Sequence, residues 1–193
     1  MSNSYNKYYI KENYFGNPYT GLISYFKDFE PKGTVLDLGC GQGRDSIALG
    51  KLGYKVIGVD YSSVGIQQLN EVASKLGIDV TGVSDDIYNY PITGEHDIIL
   101  MDSMLHFYKN DIEKETGFVN KVIREMENGA IFCNCMIMGK TRERLLKSII
   151  SKSEWEFQVL LDEYMDYPDF NAKYHVYIIK KAGEKGKFEE NVE

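Results

Sequence analysis

The sequence predicts an α/β chain with a doubly wound, mostly parallel sheet that ends in an antiparallel hairpin. Three observations predict it. Apolar runs with little polar alternation, such as Thr34–Leu38 and Val56–Asp60, are what strands buried on both faces look like. Between the runs lie segments with apolar residues at helical spacing, so strands and helices alternate. The last two β-like runs, Trp155–Tyr164 and Lys173–Lys181, have no helix between them and are expected to pair antiparallel.

Each element follows from its own signals. Leu22, Ile23, Phe26 and Phe29 predict a helix over 20–29, ended by Pro31 and Gly33. Thr34–Leu38 is the first strand, and Arg44-Asp45-Ser46 starts a helix carrying Ile47, Ala48, Leu49 and Leu52, with Gly53 as its stop. After the second strand, Ile66, Leu69, Val72, Ala73 and Leu76 line a helix from Ser63 to Gly77, and Ile78 opens the third strand. Asp97–Asp102 reads as the fourth strand. Phe118, Val119, Val122, Ile123 and Met126 mark the next helix, and Ala130–Met138 a fifth strand after Asn128-Gly129. A helix carrying Leu145, Leu146, Ile149 and Ile150 precedes the final two runs, which residues 165–172 join. Seven strands result. The length of 193 residues suits one domain over 1–182, with 1–30 as an N-terminal arm and helix, and leaves little room for a separate substrate domain. The charged segment 183–193 is expected to be a frayed tail.

The chemistry concentrates where the first strand turns. Gly39, Gly41 and Gly43 lack Cβ atoms, so a flat ligand can lie against the backbone itself. Asp60 ends the second strand, where its carboxylate can accept hydrogen bonds from both hydroxyls of a ribose lying across the glycine turn. A dinucleotide fingerprint would place a third glycine where Arg44 stands. Asp37, two positions before the first glycine, suits a ligand with a positive centre and would repel a pyrophosphate.

The string Asp37-Leu-Gly39-Cys40-Gly41-Gln-Gly43, with Asp60 downstream, resembles motif I and the following acidic strand end of the class I S-adenosylmethionine-dependent methyltransferases. Val83-Ser-Asp-Asp86-Ile87-Tyr88 resembles that family's acidic loop, in which a carboxylate takes the adenine amino group and the next backbone amide meets a ring nitrogen. The resemblance assigns those roles to Asp86 and Ile87, with Asp85 as the competing register. His96 to Phe107 resembles the fourth strand and the segment beside the sulfonium and the acceptor. The resemblance therefore implies a Rossmann-like seven-stranded sheet and S-adenosylmethionine as cofactor, with S-adenosylhomocysteine as product. It places Asp37, Gly39, Cys40, Gly41, Gly43, Asp60, Tyr61, Asp86, Ile87, Asp102 and Ser103 around that cofactor. Within the family, Gly-Cys-Gly-Gln-Gly-Arg-Asp-Ser is most similar to the small tellurite-resistance-type enzymes.

Composition narrows the acceptor. A net charge of −7, from 22 basic and 29 acidic residues, argues against a phosphate-binding surface and so against nucleic acid. A small-molecule acceptor is expected. The sequence has no apolar run long enough to cross a membrane and no signal-peptide pattern, which points to a cytoplasmic protein without membrane partners. Cys40, Cys133 and Cys135 form no metal-type framework and read as reduced, mostly buried side chains.

Methyl transfer is carried by the cofactor's own activation, so an obligatory catalytic side chain is not required. If the acceptor must lose a proton, His106, just past the fourth strand, is the candidate base; a helix-start or core role is the competing reading. His175 reads as structural and His96 as solvated. Tyr14 and Tyr19 are candidate lid residues in the tyrosine-rich arm, which could instead pack on the sheet edge or on a second copy in a homodimer. The acidic aromatic stretch from Asp162 to Phe170 either rims the pocket, favouring a neutral or cationic acceptor, or is a solvated loop. A non-catalytic S-adenosylmethionine-binding protein is the alternative function. An aminopropyl transferase is disfavoured by Asp102-Ser-Met, and a nicotinamide dehydrogenase by Arg44 and Asp37.

Overall fold

The computed structural model describes residues 6–186; Tyr5 of the arm and residues 187–193 of the expected tail lie outside them. Among the described residues seven strands form one sheet. They are β1 (Thr34–Leu38), β2 (Lys55–Asp60), β3 (Val80–Ser84), β4 (Ile98–Asp102), β5 (Ile131–Ile137), β6 (Trp155–Tyr167) and β7 (Ala172–Glu184), in the order β3-β2-β1-β4-β5-β7-β6. The first five are mutually parallel, and β7 lies antiparallel between β5 and β6. Strand order reverses between β1 and β4, which leaves a crevice at their carboxyl ends, the place where open α/β sheets take ligands.

Helices cover both faces. On one side α2 (Thr20–Asp28), α3 (Arg44–Lys51) and α4 (Ser63–Leu76) bury Leu22, Phe26, Leu49, Ile66 and Leu69 against Val35, Val56, Ile98 and Leu100. On the other, α5 (Ile112–Glu125) and α6 (Lys140–Lys152) bury Phe118, Val122, Leu146 and Ile150 against Leu36, Ile99, Phe132 and Ile179. This double covering is why the central strands read as continuous apolar runs. Local chemistry sets several ends. The Ser62 hydroxyl accepts the Gly65 N–H to cap α4 at its start, and Gly77 closes it in the left-handed conformation at φ 63°. At the end of α2, Lys32 Nζ donates to the carbonyls of Phe26, Lys27 and Phe29, a cap the periodicity does not announce.

The terminal strands are longer than the alternation indicates. Met165, Asp166 and Tyr167 continue β6, leaving only a short 3-10 turn at Pro168–Phe170, and β7 runs through Gly183 and Glu184. Tertiary packing draws them in: Tyr167 is buried against Tyr19 and Tyr174, which holds its backbone in the ladder despite the flanking aspartates and proline. His96 corrects a sequence expectation. It is buried, because its Nδ1 accepts the Thr93 N–H and so closes the turn leading to β4. The three cysteines are free and buried.

Candidate active site

The glycine turn sits at the tip of β1 with all three glycines in the left-handed region, at φ 91°, 57° and 81° for Gly39, Gly41 and Gly43. An L side chain would be strained at each. The turn is tied to β2 rather than free-standing: Gly39 and Cys40 donate to the Val59 carbonyl at 2.8 and 3.1 Å. Asp60 completes the tie, one oxygen accepting the Gly41 N–H at 3.0 Å and the other the Ser62 N–H at 2.7 Å. Burial pushes the Asp60 carboxyl above its ordinary value, against the pull of those two N–H groups. Each oxygen keeps acceptor capacity beyond its backbone bond.

Two side chains rest on the glycine faces. A Cβ on Gly39 would overlap Met104 Sδ, and one on Gly41 would come within 2.5 Å of the Tyr9 hydroxyl. Tyr9 belongs to the short helical turn α1 (Asn6–Tyr9) and is buried. The arm is fastened through polar contacts. Gln42 Nε2 donates to the Lys11 carbonyl at 2.9 Å, its Oε1 accepts the Tyr14 N–H at 2.9 Å, Gln68 donates to the Tyr9 carbonyl, and Ser62 bonds Asn6. Tyr9 and Gln42 therefore belong to the site although the sequence singled out neither; the position of Gln42 between two glycines was the available signal.

Asp37 is buried beneath the turn, accepting from Ser46 Oγ at 2.5 Å. Burial, with the Asp45 charge beside it, pushes its carboxyl up to about 7. At the tip of β4, Asp102 accepts from the Tyr19 hydroxyl at 2.6 Å and from Ser103 Oγ at 2.8 Å, and is ion-paired to Arg44. Arg44 also pairs with Asp45 at 2.7 Å, donates to the Tyr167 hydroxyl at 2.5 Å, and lies over the rings of Tyr19 and Tyr167. Burial works against the Arg44 charge, but Asp45 and Asp102 outweigh it and keep the guanidinium protonated. Arg44 thus locks α3, β4 and β6 together, a role invisible in a sequence where it appeared as a missing glycine. Tyr19, one of the two candidate lid residues, has a fully buried side chain whose hydroxyl donates to Asp102. Tyr14 does lie on the arm, about one-third exposed at 37 %.

The adenine-loop candidates take different positions. Ile87 is buried in the core, Asp85 is exposed, and Asp86 caps its own turn by accepting from Tyr88 N–H and Asn89 Nδ2. Partial burial would raise the Asp86 carboxyl; the hydroxyl of Tyr61 and these two donors outweigh it and hold it below its ordinary range. Tyr61 itself is 39 % exposed beside it. His106 lies in the segment between β4 and α5, so it is not a helix-start residue. Its N–H donates to Glu115 and its ring stacks on Tyr108 at 5.3 Å. The acidic aromatic stretch is not a solvated loop throughout: Asp169 accepts the Asn17 N–H at 2.7 Å and Tyr167 donates to the Phe15 carbonyl, tying hairpin to arm. His175 is buried, with Nε2 at 2.7 Å from Asp162.

A family model described as a methyltransferase domain matches residues 29–183. The chain belongs to the methyltransferase-domain family. The proteins it is similar to include S-adenosylmethionine-dependent methyltransferases. The chain is 30 % identical over 122 residues to a cypemycin N-terminal methyltransferase from a Streptomyces species, covering 62 % of this chain and 49 % of that protein. It is 28 % identical over 166 residues to a probable S-adenosyl-L-methionine-dependent methyltransferase, TehB, of Haemophilus influenzae strain 10810, covering 78 % and 57 %. The chain thus spans about half the length of the curated relatives it matches. The fold of magnesium protoporphyrin IX methyltransferase from Synechocystis PCC 6803, solved with bound SAM, superposes with a TM-score of 0.68 at 15 % identity, over 84 % of this chain and 77 % of that one.

The site fits that cofactor. Three Cβ-free positions, a carboxylate anchored across the turn and a surplus of buried acids suit an adenosine bearing a positive sulfur far better than a pyrophosphate.

Proposed function

We propose that this chain transfers a methyl group from S-adenosylmethionine to a small-molecule acceptor. The observation that carries the reading is the Asp60 carboxylate crossing to the Gly41 N–H, which sets an acidic hydrogen-bond acceptor beside a backbone floor at the sheet's switch point. When bound, the cofactor supplies a methyl group already activated by its sulfonium.

The chain's own residues hold, orient and enclose. Asp60 takes the ribose hydroxyls, the Gly39–Gly43 turn and Cys40 form the floor, and Asp86, Ile87 and Tyr61 meet the adenine. Asp37, Asp102 and Ser103 bias the sulfur end toward positive charge. Met104 and Tyr9 move off the glycine faces as the donor enters, and the arm, with Tyr14, recloses over it to exclude water. The polar fastening of the arm through Gln42 and Gln68 supports this reading, since such contacts exchange with water at little cost. His106 is the base where the acceptor is protic, and alignment alone suffices where it is not. The charge of −7 supports a small acceptor without a phosphate backbone. Among the described residues no helix is long and apolar enough to cross a membrane.

Calorimetry with S-adenosylhomocysteine, decarboxylated S-adenosylmethionine and nicotinamide dinucleotides tests the proposal. Binding of S-adenosylhomocysteine without dinucleotide binding is expected; the reverse preference would refute it. A screen of thiols, amines and phenols for S-adenosylhomocysteine release then finds the acceptor, and hydrogen exchange over residues 6–17 reports the arm.

A further inference from the structure

Among the described residues, the buried side-chain polar atoms without a hydrogen-bond partner are Asn134 Oδ1, Asn134 Nδ2, His175 Nδ1 and Arg142 Nη1. Three of the four, those of Asn134 and His175, fall together on β5 and its antiparallel neighbour β7; Arg142 belongs to the first turn of α6. Asn134 is fully buried in the middle of β5. Its flanking same-face residues, Phe132 and Met136, pack in the layer beneath α5 and α6, so its amide points into that layer. Register places Asn134 between Met101 and Tyr177, with His175 opposite Met136. Asn134 and His175 are therefore diagonal neighbours on one face of the sheet. The next residue along β5, Cys135, accepts the Ser103 N–H at 2.9 Å, so the corner adjoins the β4 tip where the donor's sulfur would lie.

The chemistry of the orphans is specific. An amide presents one acceptor and a two-hydrogen donor side by side, which matches a C=O next to an N–H or O–H. The His175 ring nitrogen Nε2 faces Asp162. Although partial burial would raise that carboxyl, Lys147 and His175 hold it below its ordinary range, so it only accepts. Nε2 therefore donates to that carboxylate, and Nδ1 is the ring nitrogen left without a partner. The carboxylates that could bind a cation here are spent: Asp162 on Lys147 and His175, and Glu143 on the Gly139 N–H and the Tyr164 hydroxyl. An apolar residue of the same shape would pack at Asn134 without leaving an amide unpaired, so its presence calls for a partner from outside the chain.

We propose that this corner recognises the methyl acceptor, and that the acceptor is an uncharged molecule with an amide-like edge, a lactam, pyridone or related hydroxy-heteroaromatic. Asn134 pairs with the edge, and His175 Nδ1 makes a further hydrogen bond to the molecule. The inference rests on the methyl-transfer reading for the donor's place, but it concerns recognition alone.

The test is a titration of the 15N-labelled protein with 2-pyridone, and with N-methyl-2-pyridone in which the edge is blocked, each with and without S-adenosylhomocysteine. Saturable shifts of the Asn134 side-chain amide and the His175 ring nitrogens are expected with 2-pyridone, at least about tenfold weaker with the blocked probe. Asn134→Leu should lose the 2-pyridone response and leave S-adenosylhomocysteine affinity within about twofold. Equal responses to the two probes, or none, overturn the proposal and leave the corner a buried water site. If Asn134→Leu does not fold, the probe comparison on the wild-type protein decides alone. Failure of S-adenosylhomocysteine to bind would sink the donor reading instead, and the probe comparison without it still decides the corner.

Discussion

Replacing Asp37 by Asn should flatten the pH dependence of stability in one predictable window. In the folded chain burial and Asp45 hold the Asp37 carboxyl at about 7, whereas an unfolded aspartate titrates near ~3.9. The folded state thus binds the proton more tightly, so between those values stability falls as pH rises. From pH 6 to 8 the unfolded carboxyl is ionised throughout, while the folded one crosses its midpoint. The difference integrates to a loss of about 1.4 kcal/mol, or roughly 3–6 °C in Tm for a domain of this size. Asn keeps an oxygen for the Ser46 hydroxyl, which now donates at 2.5 Å, but has no proton to lose. Urea unfolding at fixed ionic strength at pH 6, 7 and 8 measures the slope for wild type and variant. Subtracting the variant's slope removes the other titrating groups, Asp102 among them, whose carboxyl burial also raises. Identical slopes would show that Asp37 is ionised throughout and that the reasoning from its burial is wrong.

Asp60→Ala removes the acceptor for the Gly41 and Ser62 N–H groups and for the ribose, and should weaken S-adenosylhomocysteine binding by about 1–3 kcal/mol in calorimetry; unchanged affinity would place the ribose elsewhere. Gly39→Ala forces a Cβ into a left-handed residue and onto Met104, so a stability loss of about 1–2 kcal/mol from the backbone, together with loss of nucleoside binding, is expected from melting curves and titration. Arg44→Met removes the partner of Asp45 and Asp102, and chemical denaturation should show a loss of about 3–5 kcal/mol; a near-neutral result would mean that the ion pairs do not hold α3 to β4. Once an acceptor is known, His106→Ala should slow turnover of protic acceptors by about 10²–10⁴-fold if the ring is the base; a smaller loss would leave alignment to carry the rate.

Much of this protein was legible in the chain because its signals are local. Gly77 ends α4, the βα turn needs the glycines at 39, 41 and 43, and the apolar runs of β1, β2 and β4 report burial on both faces. The antiparallel pairing of β6 with β7 follows from the missing last helix, whereas the insertion of β7 between β5 and β6 does not. What the sequence could not carry were contacts between distant residues. Arg44 is separated from Tyr167 by 123 positions and from Asp102 by 58, so no spacing rule joins them, and only folding turns a glycine-loop mismatch into the bolt between α3, β4 and β6. Tyr19 belongs to the same case: an arm tyrosine by position, it is buried with its hydroxyl on a carboxylate 83 positions away. Asn134 reads as one polar residue in an apolar strand, and its significance appears only when the neighbouring strands seal it from water without giving its amide a partner. Periodicity along the chain determines which face of each element is buried; which polar groups are left there to share a charge or to await a ligand is decided by the packing of elements on one another.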